Sequence, residues 1–576
     1  MNTELISRIT GLSDTKWSGI SGAVSEIIGL DIRTTPGIVK VHQKLSLISA
    51  TSSESSSISP SASISPSASL SPSSSQSISP SASVSISSSA SISPSASAST
   101  SPSSSVSPSA SVSPSASTSI SPSSSASSSP SASTSPSASA SPSSSTSPSV
   151  SPSTVLPATA ISGFIKIAVS ASNGYSIWFD SESGKIWVKD TDDVITLAYT
   201  TVPTSGSAGC LGAYEYNGFI YWATENYLHR VPIADADNRW SNISANWKEF
   251  EVGDADFHPM AIQDLQLFIG DGNQVAVVDE DSVFEGNALD IKTPHRIKCM
   301  IPFEFDLLIG TFIADTVNRA QIIRWDTVSP SWNSSDDIDE AGINSFIRDD
   351  NNVLANCGKY GRIYFYNGTT LEKQYRIPGN YSDTAGAVIH PGSVATLDGI
   401  PVFGLSNFVG NPTSLGIYSL GAYSSSYEKS LTLDWIISEN VTTGIEIGAI
   451  LVIGQIIYVA WKKGTIYGID KLDVDAKYTD AHFITKMLFQ NDRSLSKTLM
   501  QVAAYYNSLP TGTGFTFSYS KNGAAFVAMA SVTNEILNEV QSQETVPDIG
   551  SLQIKCKFDV SGNSAPTMEQ FTVDLE

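Results

Sequence analysis

The chain has 576 residues, 55 acidic against 32 basic, and a formal net charge of −23. That balance argues against a phosphate-backbone ligand, which needs clustered Lys and Arg, and the length alone allows three or four domains. Cys210, Cys299, Cys357 and Cys556 lie far apart with no CxxC or His-Cys spacing, which argues against a disulfide framework or structural zinc and for small buried apolar residues.

The N-terminus, "MNTELISRITGLSDTKW", has no basic segment followed by an apolar one, so it does not read as a secretory signal. Residues 1–50 form a short arm. From Thr51 to Ser153 the sequence is almost wholly Ser, Pro and Ala, with one charge, Glu54, and no aromatic residue. Such a composition buries too little apolar area to offset chain entropy, so residues 51–153 are expected to be disordered. As a flexible coil the tract would span roughly 50–60 Å. That reach suits a tether holding two ordered parts apart. A neutral expansion in a surface loop is an equally good reading, and a glycosylated stalk needs an export route that the N-terminus does not show. Sequons at Asn242, Asn333, Asn367, Asn380 and Asn440 are read as chance on the same ground.

After the tract a hairpin recurs. It reads "YSIWFDSESGKIWVKD" from Tyr175, "GFIYWATENYLHRVPI" from Gly218, "LQLFIGDGNQVAVVDED" from Leu265 and "LLIGTFIADTVNRAQIIRWD" from Leu307. It returns as "VLANCGKYGRIYFYNG" from Val353, "PVFGLSNFVGNPTSLGIYSLG" from Pro401 and "QIIYVAWKKGTIYGIDKLD" from Gln455. Short Ile-, Val- and aromatic-rich strands bounded by turn formers, in units of about 40 to 50 residues, are the signature of β-propeller blades. Residues 154–480 are therefore expected to form an irregular seven-bladed propeller without WD or kelch motifs; a pair of β-sandwiches is the alternative. The best apolar window, "TTGIEIGAILVIGQIIYVAWKKG", is interrupted at strand-like intervals, so no membrane span is expected.

Residues 481–576 alternate apolar and polar positions, and "SKNGAAF" sets Asn522-Gly523 between two such runs, a hairpin signal. A small antiparallel β-sandwich is expected there. The fold class is thus all-β.

Motifs carrying chemistry are sparse. His42, His229, His258, His295, His390 and His482 are scattered, and there is no HExxH, P-loop or GxSxG. "GDGNQV" at Gly270 reads as a hairpin turn, since it lacks the third Gly and following helix of a dinucleotide loop. "GDADFHP" offers Asp254, Asp256 and His258 as metal ligands, against the commoner reading of an exposed acidic turn. "DDIDEAG" from Asp336 lacks the spacing of a calcium loop. "SESGKIW" from Ser181 and "SKNGAAF" carry only fragments of a sialidase hairpin box, while Arg230, Arg296, Arg324, Arg348 and Arg362 would have to converge to bind a carboxylate. Trp178, Tyr214, Tyr216, Trp222 and Tyr227 suggest sugar stacking, but aromatics in blades usually fill space between them. No catalytic, cofactor or metal residue is assigned, and the protein is expected not to be an enzyme.

The segment "GLDIRTTPGIVKVHQKL" within the arm, and "LSKTLMQVAAYYNSLPTGTGFTFSYSKNGAAF" near the end, resemble the opening arm and closing sandwich of tailed-bacteriophage virion proteins that carry a β-propeller between them. The order of arm, propeller and sandwich carries the resemblance, and the Ser-Pro tract departs from it. The resemblance implies a non-enzymatic tail structural protein, made in the host cytoplasm and held in the virion in multiple copies. Its partners would be other tail proteins and a host-surface glycan or protein, with no nucleic acid and no membrane insertion. An adhesin on a Ser-Pro stalk is the alternative, followed by a sialidase-like enzyme.

Overall fold

A computed structural model describes residues 24–28, 30–31, 39–50, 161–237, 239–314, 317–377, 386–406, 414–421, 429–485, 488 and 497–576. The Ser-Pro tract, with the expectation of its disorder, lies outside them. The described residues are nearly all β, broken by one 3-10 turn at Ile233–Asp235.

Seven four-stranded antiparallel units follow one another, at 165–200, 212–249, 260–290, 296–338, 343–376, 394–435 and 445–477, here blades 1 to 7. Their first strands touch in sequence from Ile165–Ser170 round to Ile445–Ile453, which returns to Ile165–Ser170. The ring is closed: this is a seven-bladed β-propeller. Each second and third strand is covered on both faces by neighbouring blades, so apolar residues occupy consecutive positions and do not alternate. Ser176–Asp180 and Asp306–Phe312 are buried at every position. The fourth strand can face outward and be polar, as in Ser334–Ile338, whereas that of blade 6, Ser430–Trp435, is largely buried. The recurring hairpins of the sequence are the second and third strands of each blade.

Antiparallel order puts two sets of turns on opposite faces. On one face, connections between blades meet the turns joining second and third strands. There Asp271 accepts Val252 and Gly253 N–H groups at 2.9 and 2.8 Å, and Ala387 N–H donates to Lys359 O at 2.7 Å. On the other, the remaining turns meet one another: Tyr216 Oη donates to Leu265 O at 2.6 Å and Asn217 Nδ2 to Glu280 O at 2.6 Å.

Blade 7 takes only three strands from 445–477. Its fourth is Gln43–Ala50, from the arm, paired antiparallel along Ile466–Lys477. A second arm strand, Val24–Ile28, lies between the last strand of blade 6 and His482–Thr485 (Ile28 opposite Leu433 on one side and His482 on the other). The sheet of blade 6 thereby runs on through Leu552–Asp559 and Gly514–Lys521 as one sheet of nine strands. The opposing layer of the sandwich is built on Lys497–Ser508, and Val39 of the arm bridges to it at Met568. Alternate positions of Leu552–Asp559 point inward, and Phe517, Cys556, Phe558 and Phe571 share one apolar core with Trp435, Ile447 and Trp461 of blades 6 and 7.

These contacts correct the expectation that the tract separates arm from propeller. Both of its flanks are anchored at the join of blades 7 and 1, where Ile48 packs on a core containing Ile161, Ile165, Trp178 and Ile469. In chain order the tract falls between Gln43–Ala50, the last strand of blade 7, and Ile165–Ser170, the first strand of blade 1. Strand pairing joins the described parts of 1–50 and 481–576 to blades 6 and 7.

Candidate functional site

Residues from five points round the ring converge on its centre at the connection-bearing face. Phe164 and Lys166 open blade 1, Arg296 and Lys298 open blade 4, and His390 precedes blade 6. Glu446 and Lys462 come from blade 7, and Asp254, Asp256 and Phe257 from the connection into blade 3. The approach is close because two glycines permit it. A Cβ at Gly392 would lie 2.1 Å from Lys166 O, and one at Gly448 would lie 1.9 Å from Ile165 O.

Charges interleave here. Arg296 donates from Nε to Asp254 at 2.9 Å and from Nη1 to Asp256 at 2.9 Å, and its planar group lies 5.0 Å from the Phe312 ring centre. Lys462 Nζ stands 3.2 Å from Glu182 and 3.8 Å from Glu446. Lys298 Nζ donates to Asn344 at 2.8 Å and lies over Phe257 and Phe312. Lys166 lies over Phe164, 5.5 Å from the ring centre, and burial lowers its pKa against the pull of Glu446 and Glu182. His390 packs edge-on to Phe164 at 5.5 Å, and its Nε2 is buried without a partner among the described residues. Burial, aided by the charges of Lys166, Lys298 and Lys462, brings the His390 pKa down to about 3, so its ring is neutral. The arrangement is a polar plug in which most charges already have partners.

Of the five arginines, Arg296 alone belongs to this centre. Arg230 lies over Phe219 and Trp247 within blade 2, and Arg324 is bound to Asp306, Glu304 and Gly368 O. Arg348 donates to Pro302 O, and Arg362 pairs with Glu340. The convergence that a carboxylate site would need is not found. The Asp254, Asp256 and His258 trio is likewise divided: both aspartates bind Arg296, while the His258 ring nitrogens meet Gly270 O at 2.8 Å and Glu225 O at 3.1 Å. Among the described residues no group of three His, Cys, Asp or Glu is placed to hold a metal ion. Trp178 and Trp222 are wholly buried and Tyr216 nearly so, leaving Tyr214 as the most exposed of the aromatic candidates. All four cysteines are buried and unpaired, and burial raises their thiol pKa values.

The sequence singles out neither Phe164 nor Lys166, which bear no motif, and offers His390 only as one of six scattered histidines. A usable signal was the glycine of "VIHPGSV", where a chain crossing close to another backbone has no room for a side chain. No helix among the described residues is long and apolar enough to cross a membrane. No family profile matches the sequence, and no curated protein aligns with it. Similar solved structures include a streptogramin B lyase at 13% identity and TM-score 0.37, covering 54% of this chain and 93% of that one. The WD40 domain of Neurospora crassa Pan2 is similar at 8% identity and TM-score 0.38, covering 55% and 92%. Virginiamycin B lyase from Staphylococcus aureus is similar at 12% identity and TM-score 0.38, covering 54% and 96%. The strand order itself defines the architecture as a β-propeller joined edge to edge with a β-sandwich.

Proposed function

We propose that this protein is a non-enzymatic structural and binding component of a tailed-phage virion, carried in the tail. The observation that carries the reading is the interlocking of arm, propeller and sandwich: the arm completes blade 7 and bridges blade 6 to the sandwich. A block built this way resists separation of its parts, as a component under mechanical load requires, and it follows the module order that the sequence resembles. The central polar plug also favours binding over catalysis, because its carboxylates are engaged by Arg296 and Lys462. A stalked adhesin needs one end of its stalk on the body and the other on an anchor, whereas both flanks of the Ser-Pro tract are held at the join of blades 7 and 1.

The test is mass spectrometry of gradient-purified virus particles from the source sample, searching for "VPIADADNR", residues 231–239. Enrichment of such peptides in step with capsid proteins is expected. Their absence from well-covered particles, with recovery from cell envelopes, would overturn the proposal in favour of an adhesin.

A further inference from the structure

The face opposite the inter-blade connections carries a feature that folding does not explain. The inner turn tips of blades 1, 2, 5, 6 and 7 are polar or glycine: Asn173-Gly174, Asn217-Gly218, Asp350-Asn351, Asp398-Gly399 and Gly454-Gln455. Blades 3 and 4 instead place Asp264-Leu265 and Glu304-Phe305 there. Leu265 is 69% exposed and Phe305 84% exposed. The outer turns of the same two blades add Val283 and Val328, at 60% and 87%.

Leu265 is doubly disfavoured. It has φ +62, where Gly218 and Gly399 of the matching two-residue turns have φ +77 and +78. A left-handed backbone suits glycine, and a branched apolar side chain in water suits nothing in the isolated fold. Backbone strain combined with solvent-exposed apolar surface is a reason to look for a ligand. The turns are also held ready, since Tyr216 Oη and Gln263 Nε2 bond to the carbonyls of Leu265 and Glu304.

Charge identifies the kind of ligand. Asp264, Asp279, Glu280, Asp281, Glu304 and Asp326 stand in these same turns, and the turns themselves contain no Lys or Arg. Of the two arginines beside the blade 4 turn, Arg324 is bound to Asp306 and Glu304, while the exposed Arg348 donates to the carbonyls of Pro302 and Asp350. We infer that this face of blades 3 and 4 docks a protein partner that presents apolar side chains set among Lys and Arg. A second copy of a chain with net charge −23 fits it poorly, as does an anionic lipid surface. The inference goes beyond the virion proposal and stands whether or not the protein is carried in a particle.

The test uses the full chain and three labelled synthetic peptides of equal length, built from Lys and Leu, Glu and Leu, or Lys and Ser. Fluorescence anisotropy should show binding of the Lys-Leu peptide, weakening with salt, and little binding of the other two. The double variant L265G/F305N uses residues that matching turns already carry, so its melting temperature should equal or exceed that of the parent. It should lose tenfold or more in affinity for the Lys-Leu peptide. V202N, an exposed residue on the other face, should not. Unchanged binding by L265G/F305N, or an equal loss in V202N, would overturn the inference by showing diffuse charge attraction. So would a dimer in sedimentation that F305N dissociates, since the occupant would then be a second copy.

Discussion

Gly448 stands where the first strand of blade 7 presses on the backbone of blade 1. Its missing Cβ would collide with a carbonyl oxygen, a partner that cannot rotate away. G448A should therefore destabilise the fold by about 1–3 kcal/mol, the usual range for overpacking, while the open turn at Gly454 should accept alanine only with the penalty of its φ of +63. Chemical denaturation of the two variants separates a steric from a purely conformational loss. His229 offers a pH test. Its Nδ1 accepts the Asn246 N–H at 2.9 Å, so the proton sits on Nε2, 3.0 Å from Thr224 Oγ1, and the ring stacks on Trp222. Burial lowers its pKa from 6.5 to about 4. The unfolded chain takes up the proton first, so this contribution is present above pH 6.5 and is lost as pH falls toward 4, on the order of 3 kcal/mol in all. Asp470, raised by burial to about 6, acts oppositely, its contribution growing as pH falls through that value. H229Q should be less stable at pH 7 yet lose less between pH 6.5 and 4.5, as read from urea midpoints. An equal slope in both proteins would count against this role for His229.

At the scale of elements, legibility followed burial pattern. The second and third strands of each blade are apolar runs closed by Gly, Asn or Asp, which is why "YSIWFD" and "KIWVK" read as strands from sequence. Outer strands such as "SSDDI" and short inner ones such as "VATL" carry neither an apolar run nor clean alternation, and sheet context alone makes them strands. The sandwich was legible because Leu552–Asp559 alternates strictly. The arm's role was not, since Leu45 pairs with Leu472 across more than four hundred residues, and no local pattern encodes so remote a register. Arginine convergence failed for a related reason: strand periodicity says which face a residue occupies, not which blade end it meets. Leu45 is 2% exposed in the shared core. L45D should bury an unpaired charge, remove the fourth strand from blade 7 and expose the edge of Ile466–Lys477 to association. Light scattering during thermal melting would show aggregation beginning several degrees earlier than in the parent; coincident onsets would deny the arm that function.

For the whole molecule, the consequence of closure by the arm is that residues 51–160 are an insertion in a ring that neighbouring connections span far more briefly, as at 201–211 between blades 1 and 2. Replacing them with about ten residues should leave the fold intact and stabilise it by about 2 kcal/mol through lower loop-closure entropy, at ~0.6 kcal/mol per halving. A loss of stability on that replacement would mean that the tract supports the body. The most direct measurement cuts the chain without shortening it. A site-specific protease sequence placed at Ser101 would yield an N-terminal piece whose described residues are held to the rest by non-covalent contacts alone, chiefly the strand pairing of Val24–Ile28, Val39 and Gln43–Ala50. Both pieces should elute together in native size-exclusion chromatography and part only in denaturant. Separation under native conditions, with the larger piece still folded by circular dichroism, would contradict the claim that the arm closes the ring and makes propeller and sandwich one block.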